Sequence, residues 1–114
     1  MENLKMKEEI CKCLENYEEQ TKQRFCILYG LIYESTSRNI DEKLWAKLPS
    51  FYVGNSFVRL IPFKDHINVE AKAAIFHKDE LSEYKITPKG MLQIFHNQQV
   101  PCELLKIIFK ESFE

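Results

Sequence analysis

Glycine is scarce in this 114-residue chain: Gly30, Gly54 and Gly90 stand alone and far apart. A phosphate-cradling loop needs clustered glycines, whose backbone amides close round the anion, so no nucleotide fingerprint of that kind is present. No apolar run approaches the ~18 residues of a membrane-spanning helix. Neither sign of charge dominates, with 16 basic residues against 17 acidic ones. No broad positive field is therefore available to hold a nucleic acid backbone, and nucleic acid is an unfavoured partner. Repeats, linkers and low-complexity segments are missing too. The opening Met-Glu-Asn-Leu-Lys is charged and leads into no apolar run, so no secretory leader is expected. Cysteines Cys11, Cys13, Cys26 and Cys102 are expected as inert, buried or half-buried thiols of a cytoplasmic protein. Ser35, Ser37 and Ser56 lie in no nucleophile elbow. With no nucleophile, base and orienter in view, no catalytic turnover is expected.

What is present reads as an α+β domain. Residues 4–16 fit a short helix with Ile10 and Leu14 four apart and Met6 extending the stripe. A second helix over 18–35 aligns Thr21, Phe25, Leu28 and Ile32. Its other apolar residues predict burial against a sheet on one side and the first helix on the other. Residues 41–48 are either a helical turn or an extended approach to the sheet, closed by Pro49. Strands follow at 51–53, from Phe57 to Ile61, and from Ile67 to Glu70. Gly54-Asn55 makes a tight hairpin and 63–66 a turn. Pro62 has no N–H for a ladder and ends its strand. A helix is expected over 74–84, a turn over 84–88, a last strand over 91–95 and a polar loop over 96–99. Pro101 then opens a helix over 102–113, striped by Leu104, Leu105, Ile108 and Phe109. The architecture is an antiparallel sheet packed by N-terminal and C-terminal helices. Residues 1–19 form a helical extension and 20–114 the domain proper.

Three sets of residues carry candidate chemistry. Lys64, His66, Asn68 and Glu70 form a polar row at the centre of the chain. Lys64, Lys85 and Lys89 sit at two turns. Were those turns to meet at one end of the sheet, with His66 beside Lys64 and Phe51 as an apolar wall, Lys64, His66, Lys85 and Lys89 would hold a small anionic ligand. Glu15, Glu18 and Glu19 form an acidic patch near a helix end, which suits hard divalent cations. The bland counterparts are a solvated sheet face, solvating lysines with Trp45 in the core, and an ordinary wet helix end.

Four strings in order carry a resemblance. They are Glu42-Lys43-Leu44-Trp45 running to Pro49-Ser50-Phe51, then Phe63-Lys64-Asp65-His66-Ile67. Next come Tyr84-Lys85-Ile86-Thr87-Pro88-Lys89-Gly90, and finally Val100-Pro101 with Leu104-Leu105-Lys106-Ile107-Ile108. Over roughly residues 20–112 the chain is similar to the YdhG-like family of small bacterial domains. The resemblance implies an antiparallel sheet packed by helices, related in outline to frataxin. One Bacillus member resembles a frataxin-type iron chaperone, so iron is the cargo it implies. The matching positions are Phe51, Lys64, His66, Lys85, Lys89 and Gly90. The chain departs from the family where Ala46-Lys47-Leu48-Pro49 replaces a Trp-Gly-Met-Pro string, with Trp45 displaced by one. It departs again at Gln93 in place of an arginine, and at Phe95-His96 in place of Phe-Pro. The main functional expectation is a non-enzymatic, iron-binding chaperone. The alternative is a binding module for a small anionic ligand or a protein partner.

Overall fold

The apolar stripe Thr21, Phe25, Leu28 and Ile32 closes onto one side of an antiparallel sheet, as its helical spacing requires. A computed structural model describes residues 6–114. Helices α1 (Glu8–Leu14) and α2 (Glu19–Glu34) come first. Strands β1 (Asp41–Trp45), β2 (Leu48–Val53), β3 (Ser56–Pro62) and β4 (His66–Ala71) form a meander. A 3-10 segment (Lys72–His77), β5 (Lys85–Ile86), β6 (Leu92–Phe95) and α3 (Cys102–Phe113) complete the chain. The sheet order is β1-β2-β3-β4-β6-β5, and every neighbouring pair is antiparallel. The first residues of the expected 4–16 helix lie outside the described range.

The pleat sorts the side chains onto two faces. Phe51, Val53, Val58, Leu60, Ile67, Val69, Leu92 and Ile94 alternate onto the face that α2 and α3 cover. Phe25, Phe51, Phe109 and Phe113 are fully buried there, each contributing on the order of 2–3 kcal/mol by leaving water. Helix α1 lies over β1 and β2 and places Ile10 and Leu14 in the same core. The principal helical neighbour of α2 is α3, where α1 was expected. The Ser112 hydroxyl accepts the Ala73 N–H at 3.1 Å, tying α3 to the 3-10 segment.

One polar group belongs to this core. Glu42, on β1, is 5 % exposed. Its carboxylate accepts the Tyr29 hydroxyl at 2.6 Å, the Tyr33 hydroxyl, and the Lys7 N–H at 2.9 Å. Burial first, and then the bond to Glu42, pushes both tyrosine hydroxyls well above their ordinary pKa. Helix α2, strand β1 and the residue leading into α1 thus meet at one acceptor.

Two local expectations need correcting, and of the two readings of residues 41–48 the extended one holds. Residues 41–48 are extended, with β1 and β2 joined by a two-residue hairpin at Ala46 (φ 51) and Lys47 (φ 68). Both residues are left-handed, as a type I′ turn requires, although neither is a usual turn residue. The expected 74–84 helix is instead the 3-10 segment Lys72–His77 followed by turns. The expected turn over 84–88 contains β5, which pairs through Lys85↔Gln93 and Ile86↔Leu92. At the β2–β3 hairpin, Gly54 has φ +60 while Asn55 keeps an ordinary φ. That is the type II′ arrangement, which takes glycine first. Among the described residues, no helix is long and apolar enough to cross a membrane.

Candidate functional site

The face of the sheet away from the helices is built on an arginine. The pairs Lys43↔Ser50, Ser50↔Arg59 and Arg59↔Glu70 line these residues across four strands. Arg59 is 5 % exposed. Its Nε donates to Ser50 Oγ at 2.8 Å, Nη1 to Glu70 Oε1 at 2.9 Å and Nη2 to the Tyr52 hydroxyl at 3.2 Å. Its guanidinium carbon lies 4.3 Å from the Trp45 ring centre and 4.2 Å from that of Phe57. A planar cation is held between two ring faces and its N–H fork is largely used up, so it serves as a fixed strut. Trp45, 54 % exposed, caps this stack from solvent.

Glu70 also lines a cleft of about 480 Å³ at the end of the sheet where β3 begins and β4 ends. Asn55, Ser56 and Phe57 form one wall. Lys72 and Lys89 add positive charge, Lys89 from the turn between β5 and β6 beside Gly90. Lys72 Nζ donates to the Glu114 carbonyl at 3.1 Å. The cleft thus mixes polar and apolar walls with two cations and one carboxylate, and that carboxylate is pinned from behind by Arg59.

The opposite end of the sheet holds a second, more open hollow of about 760 Å³, lined by Glu18, Gln20, Lys64, Asp65, Phe95 and His96. His66 is stacked between Phe63, at 4.5 Å between ring centres, and Phe95, at 4.7 Å. Its Nδ1 lies 2.7 Å from Asp65 Oδ1, a hydrogen bond that lowers the Asp65 pKa. His96 Nε2 lies 2.9 Å from Thr21 Oγ1, while its Nδ1 is buried with no partner among the described residues. Burial first, then the nearby Arg24 guanidinium, lowers the His96 pKa. His96 lies in the polar loop expected over 96–99, but Thr21 draws it inward. Asn68, in the middle of the polar row, is largely buried, and its Oδ1 has no partner among the described residues.

The expected lysine ring does not assemble. Lys64 and His66 stand at the start of β4, whereas the Lys89 turn leads into β6, whose Leu92 pairs with Val69 near the other end of β4. An antiparallel partner necessarily begins where its neighbour ends, so the two turns lie about 20 Å apart at ~3.3 Å per residue. Lys85 stands on the outermost strand opposite Gln93. Phe51 is fully buried on the helix-covered face, against Tyr29 and Tyr33, so it forms no ligand wall. Glu15, Glu18 and Glu19 are exposed where α1 gives way to α2. Among the described residues, no group of three or more His, Cys, Asp or Glu is placed to hold a metal ion. The four cysteines are free; Cys11 and Cys26 are exposed rather than buried. The residues that sequence reasoning missed are Phe57, Arg59, Glu70 as a cleft wall, and Lys72. The opposition of Arg59 and Glu70 was already present in the two central strands.

Comparison with family models, curated proteins and solved structures gave no match.

Proposed function

We propose that this chain is a non-enzymatic binding domain for a small anionic ligand, taken up in the cleft between the β3–β4 end and the β5–β6 turn. The observation that carries this reading is the cleft itself. It is concave, of ligand size, walled by Phe57 and supplied with positive charge by Lys72 and Lys89. The pinned Arg59 offsets Glu70, so the surroundings keep a positive balance. This is a basic and aromatic pocket at one end of the sheet, with Lys89 retained from the sequence expectation and Phe57 in the place once given to Phe51. The free thiols fit a reducing, cytoplasmic setting. The iron reading rests on family resemblance and on Glu15, Glu18 and Glu19, which stand exposed on the surface.

Titration of the ¹⁵N-labelled protein with inorganic phosphate, pyrophosphate and citrate tests the reading. The amides of Asn55, Ser56 and Gly90 should shift saturably, and Lys89→Glu should abolish the shifts while leaving the rest of the spectrum unchanged. Micromolar ferrous iron binding that survives Lys89→Glu, but weakens when Glu15, Glu18 and Glu19 are neutralised, would replace it with the iron chaperone.

A further inference from the structure

Resting on that cleft as a binding site, we propose that its ligand is a zwitterion of amino-acid size, with its anionic group met by Lys89 and its ammonium by Glu70. The cleft carries both signs of charge on different elements. Glu70 is the penultimate residue of strand β4, and Lys89 is on the separate turn between β5 and β6. Glu70 is one-third exposed, and its Oε1 is bound to Arg59 at 2.9 Å. Its Oε2 makes no hydrogen bond among the described residues and remains available as an acceptor. Arg59 cannot follow Glu70 into the cleft, because Ser50, Tyr52 and the rings of Trp45 and Phe57 fix the guanidinium. The carboxylate is therefore a permanent feature of the wall. Lys72 is engaged by the Glu114 carbonyl, whereas Lys89 makes no ion pair among the described residues. A purely anionic ligand would meet Lys89 but leave the free Oε2 of Glu70 without a donor; a purely cationic one would meet Glu70 and leave Lys89 without an acceptor. A molecule carrying both charges on a short skeleton satisfies both walls, and an apolar substituent lies against Phe57 and Ile75.

The test uses the full chain and two matched series: leucine and phenylalanine, each beside its deaminated acid and its decarboxylated amine. At least one amino acid should bind about tenfold more tightly than either of its analogues, the ordinary size of one charge-assisted hydrogen bond. E70Q keeps an acceptor for Arg59 but removes the charge, and should erase the preference for the amino acid over its deaminated acid. If E70Q does not fold, the series on the native protein decides alone. Acids binding as tightly as the amino acids would overturn the zwitterion and leave the anion site standing. Amines binding best, or none of these probes and no simple anion binding, would overturn both.

Discussion

Replacing Glu42 by alanine should cost far more than its place on an outer strand suggests. The carboxylate collects three donors, and in its absence each fares differently. The Tyr29 hydroxyl is buried and would be stranded, at a cost of ~1–3 kcal/mol. Tyr33 is half-buried and the Lys7 N–H lies near the surface, so both can turn to water and together forfeit ~1 kcal/mol. Relief of the carboxylate's own desolvation offsets part of this. The net loss is about 1–3 kcal/mol, or roughly 5–15 °C in melting temperature for a domain of this size. Urea unfolding followed by circular dichroism measures it. Tyr29→Phe should cost about 1.5 kcal/mol in the native chain and almost nothing beside Glu42→Ala, giving a coupling of at least ~1 kcal/mol in the double-mutant cycle. A Glu42→Ala loss below ~1 kcal/mol, or strictly additive changes, would refute the idea that this carboxylate anchors α2 and the approach to α1. The same cluster sets an alkaline limit. The folded chain holds the Tyr29 and Tyr33 protons above the ordinary tyrosine pKa, whereas the unfolded chain releases them there. Stability should therefore be full below pH ~10 and fall as pH rises further, and Tyr29→Phe should flatten that fall.

Arg59→Lys keeps the charge but loses the planar fork and ring stacking, and should destabilise by about 2 kcal/mol. Because Trp45 is the only tryptophan, its emission should shift in the same variant before any unfolding. Ala46→Asn with Lys47→Gly should stabilise by about 1 kcal/mol by relieving two left-handed side chains, seen as a rise of several degrees in melting temperature. Titration by NMR should give His77 a raised pKa, through Glu111 and then Glu80, and His96 a lowered one. Their stability contributions are opposite in sign. That of His77 is present below pH ~6.5 and lost as pH rises through its folded pKa; that of His96 is present above ~6.5 and lost as pH falls.

Much of the fold was legible because its signals are local. The stripe of α2, the opening of α3 at Pro101 and the alternation through β3 and β4 each lie within one element. Strand β1 was harder to read because its inward residue is Glu42, whose burial makes sense only beside Tyr29 and Tyr33. The β1–β2 hairpin carries Ala46-Lys47 where a type I′ turn favours Asn-Gly, so no turn signal marks it. The segment after β4 has helical spacing, but Ala73, Ala74 and Leu81 are buried from a 3-10 segment and turns. At the candidate site, Lys89 was readable as a turn cation. The separation of the lysines was not, because it follows from β6 pairing directly with β4 and leaving β5, earlier in the chain, at the edge.

The two outer strands also govern how other molecules can approach. An open sheet invites pairing along its edges, and both of these edges are blunted. Strand β5 is only two residues long, and Pro88 follows it closely. Strand β1 carries Asp41 and Lys43 as an exposed ion pair at 3.2 Å and ends in the left-handed Ala46-Lys47 corner. A foreign strand gains little register on either one, which disfavours fibre-like stacking of copies. Recognition is thereby directed away from main-chain zippering and onto side chains, on the face where Arg59 is clamped and in the cleft that Glu70 and Lys89 share.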